Sequence, residues 1–309
     1  MSLSKSQKYC QQAILDTLSY RAVFAYPMSL YQLATFLISK EEISTNAIRQ
    51  ELKRLIKIGA VSQKGGKYFL SGVTPIDWEL RMAGTKAVLA GLDFVFKSLG
   101  RIPWVLFIGV TGTMAVGNGT GKDDVDVFII TTRGRAWLTR LFVVILLKVC
   151  GCYRSDIAPA GKICPNIFVD EQNTAWDKTR QNLYTAHEIV MMRPVFDRRG
   201  TYFKFLSANK WVFDYFGNFK GDTLADDVAT GRHSRLIDQL EALLMRLQLF
   251  YMKNRKTVEV TTRGLIHFNR DDSTKRILSA YGDLCSQKPK VRRFKMRRPR
   301  QRRGRHLPT

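Results

Sequence analysis

The chain has 309 residues, of which 45% are hydrophobic and 11% aromatic, so it is not a wholly disordered protein and has room for two or three domains. Its net charge is +24, and eleven of the basic residues lie between Lys288 and Arg305, a segment without any acid. Subtracting those eleven charges leaves +13 on the rest. We therefore expect a nucleic acid, RNA or DNA, as a partner, with simple solubility as the alternative.

Cysteine usage and hydropathy predict where the protein works. The five cysteines are scattered and odd in number, which argues against a disulfide framework and favours a reducing cytoplasm. The N-terminus has no signal-peptide pattern. The longest apolar stretch, Trp137 to Cys152, is interrupted by Arg140 and Lys148 and is too short to span a bilayer. We expect a cytoplasmic protein that makes no membrane contact.

Residues 1–73 have the pattern of a winged helix-turn-helix. Ser29 and Ser44 are expected to cap the second and third helices, and Gly59 to end the third. A hairpin turning at Gly65 and Gly66 follows. The predicted helices and strands are Gln11 to Leu18, Leu30 to Ile38, Thr45 to Ile58, Ala60 to Gln63 and Lys67 to Leu70.

The third helix of this unit carries basic residues opposite its apolar face. Arg49, Lys53 and Lys57 would enter the major groove of DNA, with Lys64 and Lys67 on the wing touching phosphates. The alternative is an ordinary solvated helix in a module that contacts protein.

The sequence pattern predicts an α/β (α+β) unit for residues 74–178 and a helical unit for residues 179–284. A leucine stripe on the last long helix is expected to be core. Residues 285–309 form a basic tail that we expect to be disordered when free, with Arg292, Arg293, Arg297 and Arg298 as nucleic-acid contacts. The predicted elements from 78 to 252 are Trp78 to Leu99, Trp104 to Ile108, Val125 to Ile130, Arg135 to Val149, Lys162 to Val169, Leu183 to Met192, Tyr202 to Phe213 and Ser234 to Met252.

Two alternate carboxylates open the second predicted strand of the α/β unit. Side chains of a strand alternate between its faces, so Asp124 and Asp126 lie on the same side. Two like charges so close are unfavourable without a cation, and Mg²⁺ prefers carboxylate oxygens. The small-residue turn at Gly112 and Thr113 leaves backbone amides free to meet a phosphate chain. Together these residues indicate metal-assisted phosphoryl or nucleotidyl transfer.

The loop between the turn and the acidic strand supplies two further candidates. Asn118, followed by Gly119 to Gly121, could close over phosphates, and Lys122 could contact a triphosphate. The alternatives are a simple connection between strands and a solvated lysine. His187, beside Glu188, is expected to be a satisfied core or surface histidine rather than a site residue.

Gly112 and Thr113, followed by Asp124 to Asp126, resemble the signature of the nucleotidyltransferase superfamily, which has the polymerase-beta-like fold. The chain is similar, over roughly residues 78–281, to an uncharacterised bacterial group in which a helix-turn-helix-like segment precedes such a domain. The stretches that carry this likeness are Val110 to Asn118, Asp123 to Thr132, Trp137 to Arg140, Leu183 to Glu188 and Phe205 to Trp211.

The resemblance implies an activity and its cofactors. Asp124 and Asp126 would bind two Mg²⁺ ions, and Gly112 and Thr113 would hold the β- and γ-phosphates of a nucleoside triphosphate (NTP). The reaction would move a nucleoside monophosphate to a hydroxyl of RNA, of a protein or of a small molecule.

Active members of the superfamily carry a third carboxylate on a later strand. The strand after the acidic one offers Asp170 at its end, which we predict to be catalytic, and Asn166 in its middle. An amide cannot take a proton from the acceptor, so Asn166 alone would favour a catalytically degenerate protein that senses nucleotide or supports the winged helix on DNA. A further hypothesis is an RNA- or ribosome-associated factor recruited by its tail.

Overall fold

A computed structural model describes residues 3–155, 157, 159–221, 235–252, 260–267 and 273–286. Within these ranges the protein is of the mixed α/β class, with eleven α-helices and two β-sheets. None of the helices there is both long enough and apolar enough to cross a membrane.

The N-terminal unit, residues 3–73, packs three helices on a small antiparallel sheet of order β1-β3-β2. Its elements are α1 (Lys5–Ala22), β1 (Met28–Ser29), α2 (Leu30–Thr35), α3 (Thr45–Lys57), β2 (Val61–Lys64) and β3 (Lys67–Leu70). Ser29 and Ser44 cap α2 and α3 through their hydroxyl oxygens, as predicted, whereas α2 ends at Thr35 rather than Ile38. The predicted hairpin is confirmed, because Gly65 and Gly66 turn it with φ of 55° and 71°.

The elements that follow, as far as residue 170, build the middle of a larger sheet. They are α4 (Trp78–Gly91), α5 (Asp93–Gly100), β4 (Val105–Val110), α6 (Gly112–Ala115), β5 (Val125–Thr131), α7 (Ala136–Val149) and β6 (Ile163–Asp170). The single long helix predicted from Trp78 is wrong, because the chain breaks at Leu92 between α4 and α5. Gly91, which has low helix propensity, immediately precedes the break.

The region predicted to be helical also contributes strands, which corrects the sequence-based expectation. Its elements are α8 (Leu183–Val190), β7 (Arg193–Asp197), α9 (Thr201–Ala208), α10 (Arg235–Met252), β8 (Val260–Thr261), β9 (Leu265–His267) and α11 (Ser273–Ser286). β8 and β9 are only two and three residues long, and β7 contains Pro194, so their own patterns do not reveal them. They form by pairing with neighbouring strands.

The central sheet has the order β7-β4-β5-β6-β9-β8. β5 and β6 are parallel and joined through α7, whereas the other neighbours are antiparallel. Alternate residues of β5 enter different cores: Val127 and Ile129 pack with α5 and α7, and Phe128 and Ile130 with α8 and α9. The sheet is therefore covered on both faces.

The leucine stripe of α10 does not form core, contrary to the prediction. Leu236 is 77% exposed and Leu243 is 53% exposed. α10 packs on α7 through a different face, on which the Glu241 side chain is fully buried. Its carboxylate accepts the backbone N–H groups of Trp137 (2.8 Å) and Leu138 (2.9 Å). Because no side chain at Arg135 caps α7, Glu241 satisfies donors that would otherwise be unpaired.

The N-terminal unit is fastened to the helices beyond the sheet. The backbone N–H of Ser39 donates to Tyr215 (2.8 Å), and that of Gly217 donates to Ser39 (2.7 Å). Tyr20 of α1 stacks on His187 of α8 with ring centroids 3.7 Å apart, and its ring also meets Tyr281 of α11. The end of α1 therefore lies against α8 and α11.

We predict that Glu241→Ala lowers the melting temperature by several degrees, because two buried N–H groups lose their acceptor at about 1–3 kcal/mol each. Thermal unfolding followed by circular dichroism measures this. Leu243→Ala, on the exposed face of the same helix, is the control and should melt within about 1–2 °C of the wild type. Equal melting of both variants would contradict the capping role of Glu241.

Candidate functional site

The acidic pair converges at one edge of the central sheet. Asp124 immediately precedes β5, and Asp126 is its second residue. The parallel register pairs Asp126 with Cys164 of β6. Ligand atoms of Asp124, Asp126 and Cys164 all lie within 4.8 Å of one another, and all three residues are partly buried. The predicted proximity of the two carboxylates is thus accompanied by a thiol that the sequence did not reveal.

The Gly112–Thr113 turn lies against this pair. β4 runs antiparallel to β5, so the chain leaving Val110 arrives beside Asp126, where the Thr111 N–H donates to the Asp126 carbonyl (2.9 Å). Gly112 has φ of 64°, a left-handed conformation that favours glycine. A β-carbon at Gly112 would lie only 3.4 Å from Asp126 Oδ2. The turn therefore brings its backbone close to the carboxylate.

The electrostatic environment of the pair favours binding of a cation. Burial, then the neighbouring charges of Asp124 and Glu188, raise the pKa of Asp126 to about 7. Two groups oppose the rise: the Asn166 amide donates to Asp126 Oδ1, and Arg154 forms an ion pair with Asp124 (Nε to Oδ2, 3.1 Å). These groups compensate the carboxylates only in part, since the pKa of Asp126 remains high.

Asp170 does not join the pair, which corrects the predicted third carboxylate. β6 is parallel to β5, so Asp170 pairs with Thr131 at the opposite end of the strands, six residues beyond Cys164 and roughly 20 Å along the strand. Its carboxylate is buried and accepts N–H groups from Gly134 (3.1 Å) and from Asn173. Asp170 holds a turn, and the β6 side chain that meets Asp126 is Asn166.

Glu188 is a carboxylate that sequence reasoning passed over. It lies on α8, and the backbone N–H of Gly112 donates to its side chain. Burial raises the pKa of Glu188 to about 7, against the effects of that hydrogen bond and of Arg21. The residues beside it, Ala186, His187 and Ile189, are buried. A carboxylate among residues of α8 that face the interior is the feature that could have identified Glu188 as a site residue.

Two adjoining cavities meet at Asp126, whereas Asp124 lines neither of them. Cavity A, of about 470 Å³, is lined by Thr111, Asn166, Trp176 and Arg180 among others. Cavity B, of about 260 Å³, is lined by Arg21, Thr113, Asn118, His187 and Arg276 among others. Gly112, Asp126 and Glu188 line both cavities, so they mark the junction.

The remaining predicted site residues divide into two groups. Asn118 lines cavity B, is buried, and has a side-chain oxygen without a hydrogen-bond partner. Lys122 is exposed on the loop and lines neither cavity. His187 is buried, as expected of a core histidine, but its Nε2 has no hydrogen-bond partner.

The predicted nucleic-acid contacts are described only in part. Arg49, Lys53 and Lys57 are exposed on α3, away from its core face of Ile48 and Leu52. The tail residues lie outside the described ranges; they are Arg292, Arg293, Arg297 and Arg298.

The donor set fits a hard divalent cation. Asp124 and Asp126 supply carboxylate oxygens at the distances that a shared ion requires. Burial first, and then the neighbouring carboxylates, raise the pKa of Asp126, so a cation that shares its site would relieve an unfavourable charge. The Cys164 thiol is softer and would add affinity for Mn²⁺ or Zn²⁺. Mg²⁺ is thus compatible with the carboxylates, whereas Cys164 is not a ligand that Mg²⁺ prefers.

Comparisons of the chain with protein-family models, with curated proteins and with solved structures found no match.

We predict that Asp126→Asn stabilises the metal-free protein above neutral pH. Because the folded-state pKa is raised, ionised Asp126 costs stability; this cost is absent below about pH 4, grows as the pH rises and is complete above about pH 7. In EDTA the variant should melt at least about 3 °C above the wild type at pH 8 and close to it at pH 4.

Asp170→Asn is the matched comparison, because it removes an acceptor for several N–H groups and should melt below the wild type at pH 8. An Asp126→Asn variant that melts no higher than the wild type at pH 8 would show that the buried Asp126 charge does not destabilise the protein.

Proposed function

We propose that this protein is a metal-dependent nucleotidyltransferase that moves a nucleoside monophosphate from a nucleoside triphosphate to a hydroxyl acceptor. The observation that carries the proposal is the convergence of Asp124 and Asp126 beside the Gly112–Thr113 turn, with Asp126 at the junction of two cavities. The topology also supports it: the Gly112–Thr113 turn, the acidic strand β5 and the later strand β6 follow one another in the order that the resemblance implies.

The residues divide the chemistry among them. Asp124 and Asp126 would hold Mg²⁺, which when bound neutralises charge developing on the phosphates. The Thr113 hydroxyl would orient the phosphate chain, whereas the Gly112 N–H donates to Glu188 and would position that carboxylate beside it. A nucleophilic hydroxyl that enters the junction from cavity A would meet the α-phosphate beside Asp126.

The proton of the acceptor hydroxyl needs a base. Asn166 is an amide and Asp170 is remote, so neither can take the proton. Glu188 is the carboxylate that, among the described residues lining both cavities, accompanies Asp126. Its pKa of about 7 suits proton transfer near neutral pH. We assign Glu188 as the base within this proposal.

Incubation with each α-labelled nucleoside triphosphate, Mg²⁺ and a mixture of total RNA and protein tests the reaction. We expect labelled product from the wild type and a loss of at least about 100-fold in Asp124→Asn and Asp126→Asn, because each removes a charge that binds metal. Glu188→Gln should also be slow while it still binds nucleotide. Transfer that survives both aspartate changes would refute the site.

Asp170→Asn, assayed well below its melting temperature, tests whether the carboxylate at the far end of β6 contributes to transfer. It should keep transfer, since its carboxylate lies at the far end of β6. Loss of transfer in a folded Asp170→Asn protein would restore the sequence-based assignment of Asp170.

A second candidate is a nucleotide-binding module without turnover. It is favoured by the Asn166 amide on Asp126 and by the Arg154–Asp124 ion pair, which partly satisfy the carboxylates internally. This candidate predicts that the wild type binds a triphosphate, that Asp126→Asn weakens the binding, and that no labelled product forms under any condition.

We further propose that the N-terminal unit is a winged helix that binds nucleic acid, which would bring the acceptor or an operator to the protein. The support is a three-helix unit with a hairpin and an exposed basic row, Arg49, Lys53 and Lys57, on α3. Such side chains reach phosphates and base edges when a helix enters the major groove.

Replacing Arg49, Lys53 and Lys57 together by alanine should weaken nucleic-acid binding and reduce the slope of log affinity against log salt by up to about 3. Fluorescence anisotropy with labelled RNA and DNA over a salt series measures both. The control removes three exposed basic residues elsewhere, Lys86, Lys97 and Arg101, and thus the same charge. Equal losses in the two triple variants would mean that only net charge matters.

A further inference from the structure

Arg21 is a buried cation that its surroundings leave unsatisfied. It lies at the end of α1 and is only 6% exposed. Its Nε has no hydrogen-bond partner, and its Nη1 has only the Met191 sulfur at 3.7 Å. Among the described residues no carboxylate lies within ion-pair distance of its guanidinium. Burial lowers the pKa of Arg21, as expected of a charge that has lost its water.

Aromatic rings hold this guanidinium without neutralising it. Its Cζ lies 5.1 Å from the ring centroid of Tyr26 and 5.9 Å from that of Phe24. Cation–π contacts of this kind recover part of the cost of burial, but they satisfy no N–H group. A buried cation with free N–H donors is an anion-binding group, provided that an anion can reach it.

Cavity B provides that access. Arg21 lines it together with Gly112, Thr113 and Asp126. Two other buried side chains of the same cavity, Asn118 and His187, also carry a polar atom without a partner. Three unsatisfied polar groups around one cavity indicate a polar ligand rather than an empty packing defect.

The position of Thr113 indicates in which direction that ligand extends from the acidic pair. Gly112 and Asp126 line both cavities, whereas Thr113 lines cavity B and not cavity A. A phosphate chain held by Thr113 therefore extends from the metal-binding pair into cavity B. Cavity A, which contains the aromatic side chains of Trp176 and Phe205, is left for the nucleoside or the acceptor.

We propose that Arg21 of the N-terminal unit binds the terminal phosphates of the nucleoside triphosphate, so that this unit completes the nucleotide site. The assignment rests on the proposed function, because it takes the ligand to be a triphosphate bound at the acidic pair. It gives α1 a role distinct from that of α3: one helix of the unit faces the nucleotide and the other faces solvent.

The cation lining cavity A is the rival for this role. Arg180 pairs with Asp177 (3.7 Å) and lies over the Trp176 ring at 5.2 Å. The Nε of Arg180 thus has an ion-pair partner, although its Nη1 has no hydrogen-bond partner. Arg21 has no carboxylate at ion-pair distance among the described residues and interacts with Glu188 only at longer range.

Isothermal titration calorimetry with Mg²⁺ tests the assignment. The probes are ATP, GTP, CTP and UTP and, for whichever binds the wild type most tightly, the matching monophosphate. Arg21→Met, which keeps a long side chain and removes the charge, should weaken triphosphate binding by about 10- to 100-fold and monophosphate binding by less than about 3-fold. The same variant should melt at or above the wild-type temperature in the absence of nucleotide, since it removes an unpaired buried charge.

Two control variants make the result specific. Lys67→Met removes a neighbouring cation, which packs over Tyr26 and lines neither cavity; its triphosphate affinity should stay within about 2-fold of the wild type. Arg180→Met tests the rival and should not change the preference for triphosphate over monophosphate.

The outcomes separate this inference from the proposed function. Arg21→Met with wild-type triphosphate affinity, or loss of the triphosphate preference in Arg180→Met instead, would overturn the role of Arg21 and leave the transferase proposal intact. A wild type that neither binds a triphosphate nor transfers label would overturn both. Selective loss of triphosphate binding in a stable Arg21→Met protein would support the assignment.

Discussion

The directions of three neighbouring strands determine where the acidic pair and the Gly112–Thr113 turn meet. β4 ends where β5 begins because the two are antiparallel, and β6 begins at the same edge because it is parallel to β5. One edge therefore collects the Gly112 turn, the two aspartates, Cys164 and Asn166. The apolar residues that cover both faces of the sheet fix this register, since a shift by one residue would move each side chain of β5 into the core on the opposite face.

The parts of this arrangement that depend on neighbours in sequence could be predicted from the sequence. The apolar runs of β4 and β5, the glycine turn and the alternation of Asp124 and Asp126 are all local patterns. The third carboxylate was not local, and its prediction was wrong. Had β6 paired antiparallel to β5, Asp170 would have lain near the start of β5; the parallel pairing carries it to the other end. The helix α7 between β5 and β6 is the crossover that parallel pairing requires, so the order of elements along the chain bears on this choice and the residue pattern of β6 alone does not.

Other features were beyond sequence reasoning because they depend on which surfaces meet. The periodicity of α10 identifies an apolar face but not whether another element covers it, and the structure leaves that face largely exposed. Glu188 and Arg21 come from helices far apart in the chain, and only the docking of α1 on α8 brings them to one cavity. Burial without a partner, which identifies Arg21, is a property of the folded molecule alone.

The stacking of Tyr20 on His187 also limits how the chain can be divided. A fragment that begins at residue 74 would lose α1 and expose the His187 and Phe216 rings, which are now almost fully buried. It would also leave the Asn218 amide without the Ile43 backbone groups that it bonds at 2.7 Å on both sides. Insolubility or inactivity of such a fragment would therefore report the loss of a shared interface, and says nothing about the competence of the intact sheet.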